Sequence, residues 1–233
     1  MFNYKEGRNV LLTQHLKPET QQMKEKLAKL CEEHKLCPNN LNEVLNKASE
    51  HFSLLLKWNQ KISLTTITNP QIAATQLYFE SLFATKFISN KIKSAADVGT
   101  GAGFPGLALA LALPKLLITL VESDSRKAAF LGEARRSLNL TNIQIANERF
   151  EKLSTNFDLV TVRALEKLET QILNLLSFAQ NPQIVIFFTS LKVAENILLT
   201  YQKQLLRHKT EIVSLPESQN RVLLLLHNYE CFT

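Results

Sequence analysis

Apolar residues recur at three- and four-residue steps through Leu41, Val44, Leu45, Ala48, Phe52 and Leu55, which puts them on one face and predicts an amphipathic helix packed against the rest of the protein. A weaker stripe, Leu27, Leu30 and Cys31, runs through the Lys/Glu-rich segment Gln22 to Leu36. It predicts a shorter helix ending before Cys37-Pro38-Asn39-Asn40. Asn69-Pro70 marks a break, and helical spacing resumes from Gln71 to Ile88. Residues 1–92 therefore read as a helical region.

From Ser94 the pattern changes to short apolar runs alternating with helical stretches, the sequence form of successive βαβ units in a mostly parallel sheet. The expected strands are Ser94–Val98, Leu116–Val121, Ile143–Ala146, Phe157–Val162, Gln183–Phe188, Thr210–Ser214 and Val222–His227. Between them, helices are expected at Phe104–Leu113, Arg126–Leu138, Lys167–Ala179 and Lys192–His208, with none between the last two strands. Residues 93–233 thus read as one α/β domain that closes on an antiparallel pair, with 1–92 packed on it as an N-terminal extension.

Composition narrows the class without naming a function. At 233 residues the chain can bury a core for such a domain plus a smaller helical unit without disulfide or metal staples. Its 45% hydrophobic and 21% charged residues are those of a soluble globular protein. The longest apolar runs, Leu107 to Leu113 and Val222 to Leu226, fall far short of the roughly twenty residues that span a bilayer. Met1-Phe2-Asn3-Tyr4-Lys5-Glu6 lacks the pattern of a secretory signal, so a cytoplasmic address is expected, with no membrane partner. Cys31, Cys37 and Cys231 form no CxxC pair and read as reduced thiols. Cys31-x-x-His34-x-x-Cys37 lacks a second ligand pair, so no metal is expected. A net charge of +6 permits polyanion binding without the dense Lys/Arg runs of a dedicated nucleic-acid binder. A monomer is expected.

The chemistry concentrates where the first strand meets its helix, in Asp97-Val98-Gly99-Thr100-Gly101-Ala102-Gly103-Phe104-Pro105-Gly106. Glycines there let the backbone turn tightly and approach a ligand without Cβ interference. Gly101, Gly103 and Gly106 also satisfy G-x-G-x-x-G, the dinucleotide fingerprint. Glu122 follows Gly101 by 21 residues, the distance at which a carboxylate accepts both ribose hydroxyls of a nucleoside under either reading. Pro105 separates them, because it offers no N–H at the helix start where a pyrophosphate needs donors. S-adenosylmethionine carries no phosphate. Its cationic ammonium is expected to meet Asp97, directly or through water. Five α/β units followed by an antiparallel pair, with this loop, predict a Rossmann-like seven-stranded S-adenosylmethionine-dependent methyltransferase fold rather than the six-strand dinucleotide fold. In Asn147-Glu148-Arg149-Phe150-Glu151 a carboxylate and neighbouring groups can read the adenine.

The loop after the fourth strand faces the transferred group, and here it is Thr161-Val162-Arg163-Ala164. No Asp/Asn-Pro-Pro-aromatic tetrapeptide is present to grip an exocyclic amine, and no cysteine lies there to form a pyrimidine adduct. A guanidinium at this place can bind a phosphate or guanine O6/N7 beside the methionine carboxylate. The idle alternative is an Arg163 paired with Glu166 or Glu169 on the next helix.

These residues resemble the RsmG (GidB) family, which methylates a guanine N7 in bacterial small-subunit ribosomal RNA. The likeness rests on Trp58-Asn59 with Leu64-Thr65 and Asn69-Pro70, on Asp97 to Gly106, on Leu120-Val121-Glu122-Ser123 with Arg126-Lys127 and Phe130-Leu131, and on Phe157-Asp158 with Arg163-Ala164. The resemblance implies S-adenosylmethionine as cofactor, contacted by Gly99, Phe104, Glu122, Phe150 and Glu151, with Arg163 catalytic at the junction of donor and substrate. Gly101 and Gly103 complete the expected cofactor loop. It also implies 16S ribosomal RNA, or the assembling small subunit, as partner, with Lys192 and Arg221 as basic positions; Arg126, Lys127, Arg135 and Arg136, on one expected helix, can add a phosphate-binding rim. Where the family usually has Arg-His before Asp-Ser, this chain has Gln76-Leu77 before Glu80-Ser81.

Guanine N7 has an unprotonated lone pair at neutral pH, so no general base is required, and His15, His34, His51, His208 and His227 read as surface or packing residues. N7 lies in the deep groove of duplex RNA, so the target must be unpaired or in an open loop. Three alternatives stay open from sequence: methylation of another RNA position or a small molecule, a nicotinamide-dependent oxidoreductase, and an RNA-binding module without turnover.

Overall fold

The computed structural model describes residues 17–36, 38, 40–153, 156–164, 168–178 and 182–228. Its N-terminal part contains α1 (Pro18–Glu33), α2 (Leu41–Asn59), α3 (Pro70–Ile72), a π-helical segment Ala73–Phe79, α4 (Glu80–Phe83) and a 3-10 turn Ala84–Phe87. Strands and helices then alternate: β1 (Ser94–Val98), α5 (Gly106–Ala112), β2 (Leu117–Val121), α6 (Ser125–Ser137), β3 (Ile143–Ala146), a 3-10 turn Phe150–Lys152, β4 (Leu159–Arg163), α7 (Leu168–Phe178), β5 (Ile184–Ser190), α8 (Leu191–Thr200), β6 (His208–Ser214) and β7 (Arg221–Asn228).

The seven strands form one sheet in the order β3-β2-β1-β4-β5-β7-β6. The first five are parallel, while β7 runs antiparallel between β5 and β6. Side-chain composition explains why the last strand is interior and the sixth is the edge. Val222, Leu223, Leu224, Leu225 and Leu226 are all buried, so both faces of β7 need cover, whereas β6 is largely exposed. The helix expected to reach His208 stops at Thr200, and β6 begins at His208 itself. The helix expected at Lys167–Ala179 begins and ends on residues outside the described ones.

One core joins the N-terminal helices to one face of the sheet: Met23, Leu27, Phe52 and Phe79 pack with Leu107, Leu109, Ile118 and Phe130. The other face is closed by α7 and α8 through Ile172, Leu175, Ala194 and Ile197. His51 is buried at the first contact, with Nδ1 2.8 Å from the Tyr78 hydroxyl and its ring 5.4 Å from that of Phe104. Asn59, the last residue of α2, accepts the amides of Leu64 and Thr65 on Oδ1 at 2.9 and 3.0 Å and shapes the loop that follows. Asn69 accepts the amides of Gln71 and Ile72 and starts the third helical stretch, with Pro70 at its first position. At the amino ends of the strands, Asp158 Oδ2 accepts the amides of Lys93 and Ser94 at 2.8 and 3.0 Å, and Oδ1 accepts Gln183 Nε2 at 3.1 Å. These bonds tie β1, β4 and β5 together on the side away from the strands' carboxyl ends.

Candidate active site

The glycine loop holds its shape through three positive-φ residues, Gly99 at 68°, Gly101 at 55° and Gly103 at 92°. Gly106 serves a different need. A Cβ there would lie 2.5 Å from Leu120 Cδ2 and 2.7 Å from Asp97 Oδ2, so α5 packs on the strands only because this position has no side chain.

A cavity of about 390 Å³ opens at the carboxyl ends of β1, β2 and β4, where the strand order reverses between β1 and β4. Its walls include Gly99, Glu122, Lys127, Phe150, Glu151 and Ala164. Glu122 is largely buried and held from two sides: Oε2 accepts the Gly101 amide at 3.0 Å and Oε1 the Asp124 amide at 2.9 Å. A carboxylate fixed in this way spans the strand-end gap between the glycine loop and α6. Phe150 offers an apolar wall, itself braced edge-on by Phe178 at 5.6 Å. Ser123, Glu148, Arg149 and Gln171 also line the cavity, and the sequence reading gave neither Ser123 nor Gln171 a role in the site. Their position next to Glu122 and on the helix after β4 was the available signal.

Asp97 is placed elsewhere than expected. It has no exposed surface, Oδ2 accepts the Gly106 amide at 2.8 Å, and Oδ1 accepts the Thr161 hydroxyl at 2.8 Å. Burial raises its pKa from 3.8 to about 6, against the opposing pull of these hydrogen bonds. The carboxylate is therefore a latch beneath the loop, turned inside and not among the cavity walls. The same latch occupies the amino end of α5 with the protein's own acid, which removes the seat a pyrophosphate uses and argues against the dinucleotide alternative. The side chain of Phe104 is likewise inside, edge-on to Tyr78 at 4.9 Å, and not among the cavity walls.

The basic residues divide into two groups. Lys127 lines the cavity, whereas Arg126 is three-quarters exposed and, among the described residues, pairs with Asp124 at 3.2 Å. Lys192 is exposed at the start of α8. Arg163 and Arg221 converge on Glu80, a buried acid the sequence reading left without a role. Arg163 Nη2 donates to Glu80 Oε2 at 3.0 Å and to the Gln76 carbonyl. Arg221 Nε donates to Oε1 at 2.8 Å and its Nη2 to Oε2 at 2.8 Å. The pairing of Arg163 with Glu166 or Glu169 falls outside what is described, since Glu166 and the Glu169 side chain are not among the described groups. A signal for Glu80 existed, since it is an acid set among Leu77, Tyr78, Phe79 and Leu82 in an otherwise apolar helical run. Burial lowers the Arg163 pKa to about 10 while the Glu80 carboxylate opposes the shift. Arg163 is the last residue of β4 and precedes Ala164, a cavity wall; neither Arg163 nor Arg221 is itself among the walls.

Among the described histidines, His34, His51, His208 and His227, none lines the cavity. His34 Nε2 is 3.7 Å from Glu217 Oε1, Cys31 is buried in the core, and Cys37 lies outside the described residues, as do His15 and Cys231. Among the described residues no helix is long and apolar enough to cross a membrane.

The family described as GidB, rRNA small subunit methyltransferase G, matches residues 44–224. The ribosomal RNA small subunit methyltransferase G of Orientia tsutsugamushi (strain Boryong) is 46% identical over 132 residues, 57% of this chain and 66% of that protein. The protein of the same name from Xanthomonas oryzae pv. oryzae (strain MAFF 311018) is 40% identical over 120 residues, 51% of this chain and 56% of that protein. The chain thus matches less than two thirds of the length of these relatives. Among solved structures, a ribosomal protein L11 methylase from Lactobacillus delbrueckii subsp. bulgaricus superposes with a TM-score of 0.55 at 16% identity, covering 66% of this chain and 78% of that one. A precorrin-6y C5,15-methyltransferase from Geobacter metallireducens GS-15 gives 0.50 at 11% identity, covering 71% and 91%. At these identities the likeness concerns the fold, the seven-stranded Rossmann-like fold of such methyltransferases. With the family match running from α2 into β7, the chain belongs to the rRNA small subunit methyltransferase G family, GidB.

Proposed function

We propose that the chain binds S-adenosylmethionine in the cavity at the ends of β1 and β2 and methylates the N7 atom of a guanine in 16S ribosomal RNA, on free RNA or the assembling small subunit. The observation that carries this reading is Glu122, fixed by the Gly101 and Asp124 amides at the wall of the cavity while Asp97 closes the adjoining helix end. That pairing suits a nucleoside without phosphate. Family membership supports the reaction and its RNA substrate.

In this reading Glu122 accepts the ribose hydroxyls, Phe150 packs on the adenine, and Glu151 borders it, while Gly99, Gly101 and Gly103 let the backbone come close. The cofactor, when bound, supplies an electrophilic methyl on sulfonium sulfur. Everything else is positioning by the chain. N7 needs no proton removed, which matches a cavity with no histidine among its described walls. Arg163, at the carboxyl end of β4, holds the target nucleotide, and orientation of this kind accounts for several kcal/mol of barrier. Lys127, Arg126, Lys192 and Arg221 supply positive charge for RNA phosphates. A cytoplasmic location follows from such a substrate.

Titration calorimetry with S-adenosylhomocysteine, followed by methyl transfer from labelled donor to small subunits lacking the modification, tests the reading. Binding together with a labelled 7-methylguanine in 16S RNA is the expected result. Heat with NAD and none with S-adenosylhomocysteine would overturn it.

A further inference from the structure

Two arginines, one ending β4 and one starting β7, share one carboxylate that belongs to the helical region. Glu80 lies 83 residues before Arg163 and 141 before Arg221, yet its Oε2 accepts from both. It is fully buried, and Arg221 also reaches Oε1. The backbone before Glu80 is adapted to the arrangement. In the π-helical segment the Glu80 amide donates to Thr75 O, five residues back, so it does not take the Gln76 carbonyl, which instead accepts from Arg163. The Phe188 ring, 5.6 Å from Arg163 Cζ, restricts the guanidinium further.

Arg163 is left with Nη2 engaged and Nη1 buried without a hydrogen-bond partner among the described residues. A buried cationic donor without a partner carries a desolvation cost that an anionic ligand offsets. A buried ion cluster of this kind is weak evidence for stability, because well-packed apolar side chains serve that purpose as well or better. An orienting role accounts for its charges.

We infer that Glu80 is a positioning residue: it clamps Arg163 and Arg221 side by side, so that the unpartnered Nη1 edge of Arg163 is held in one orientation at the carboxyl end of β4 to receive a phosphate oxygen of the substrate RNA. The inference rests on the proposed function and assigns part of that site to the N-terminal helical region. The catalytic domain then has its arginine set only while that region is docked.

The test is Glu80→Gln, which keeps the shape and removes the charge, read in two ways on the full chain. The first is the nitrogen-15 spectrum of the arginine side chains, with Arg163 assigned by the loss of its signals in Arg163→Lys. The clamp predicts separate, slowly exchanging Nη signals in the wild type and their merging in Glu80→Gln. The second is methyl transfer to small subunits, where kcat is expected to fall by about tenfold or more while KM for the donor stays within about threefold. Unchanged Arg163 signals, or merged signals with wild-type kcat, would overturn the inference. If Glu80→Gln does not fold, Glu80→Gln combined with Arg221→Gln carries the same test with one guanidinium fewer. That pair must lose about tenfold in kcat relative to Arg221→Gln alone, and equality between them overturns the clamp. A wild-type chain with held Arg163 signals and no RNA methylation overturns the functional reading, while the spectrum still decides the clamp.

Discussion

Asp97 Oδ2 accepts the amide of Gly106 at 2.8 Å, and the same contact explains why residue 106 has no side chain. The acid that ends β1 reaches across the loop to the first residue of α5, so loop, strand and helix are fastened at one point.

Gly106→Ala is expected to lower unfolding free energy by about 1–3 kcal/mol, since its Cβ meets Asp97 Cβ, next to the backbone of β1, at 2.7 Å and the Cδ2 methyl of the fully buried Leu120 at 2.5 Å. Gly132→Ala is the control. Nothing lies within 4 Å of a Cβ there, inside α6, and the substitution should stabilise by about 0.5–1 kcal/mol. Urea unfolding of the two variants decides it, and equal midpoints would count against the latch.

Two buried groups pull the pH dependence of stability in opposite directions. Burial holds the Asp97 pKa at about 6, above its unfolded value of 3.8, so the folded state keeps the proton longer and stability falls as pH rises between these values. Burial lowers the His51 pKa from 6.5 to about 3, so the unfolded state takes the proton and stability rises with pH across that window. Between pH 4 and 6 the two effects oppose each other. Asp97→Asn is expected to unmask the histidine, steepening the rise of stability by up to about 1.4 kcal/mol per pH unit. Unfolding curves for the wild type and variant that stay parallel from pH 4 to 6 would refute this.

Glu122→Ala removes the acceptor for the ribose hydroxyls and is expected to weaken S-adenosylhomocysteine binding by about ten- to a hundredfold, the size of a lost charged hydrogen bond. Calorimetry reads this directly. Affinity within twofold of the wild type would remove Glu122 from the donor site.

Asp158→Ala should behave in the opposite way, losing about 1–3 kcal/mol of stability with donor affinity unchanged, because its bonds lie at the amino ends of the strands. Burial raises the Asp158 pKa, but the Lys93 and Ser94 amides outweigh it and the net shift is downward. Its contribution is therefore lost as pH falls below the usual carboxylate range.

Arg126→Ala and Lys127→Ala separate two roles carried by adjacent residues. The exposed Arg126 should leave donor affinity unchanged and reduce the salt dependence of RNA binding by about one unit of slope. Lys127, in the cavity wall, should change donor affinity as well. Filter binding at graded salt and calorimetry check both.

The strands were largely legible before any coordinates. β1 and β3 match the expected ends, and the others differ by one or two residues at most ends, because alternation of apolar runs with helical spacing is imposed by burial on both faces of a parallel sheet. The overlong last helix was misread because Leu205 and Leu206 continue the apolar spacing past Thr200. Only Leu205 is buried there, while Leu206 is 77% exposed. Gly99, Glu122, Phe150, Glu151 and Lys127 meet in the cavity as nearest neighbours of strand ends that the sequence already located. Asp97 and Phe104 do not, since position next to a glycine loop says nothing about which side of it a side chain enters.

By itself, the sequence determined the α/β order, the glycine turn and the carboxylate at the end of β2, because each depends on local backbone freedom or on burial periodicity within a few residues. Tertiary structure alone decided that Glu80 faces Arg163 and Arg221 and that Asp97 turns inward to Gly106. Those partners come from segments folded against each other across the core, and a one-dimensional pattern carries no record of which buried charges are brought within bonding distance.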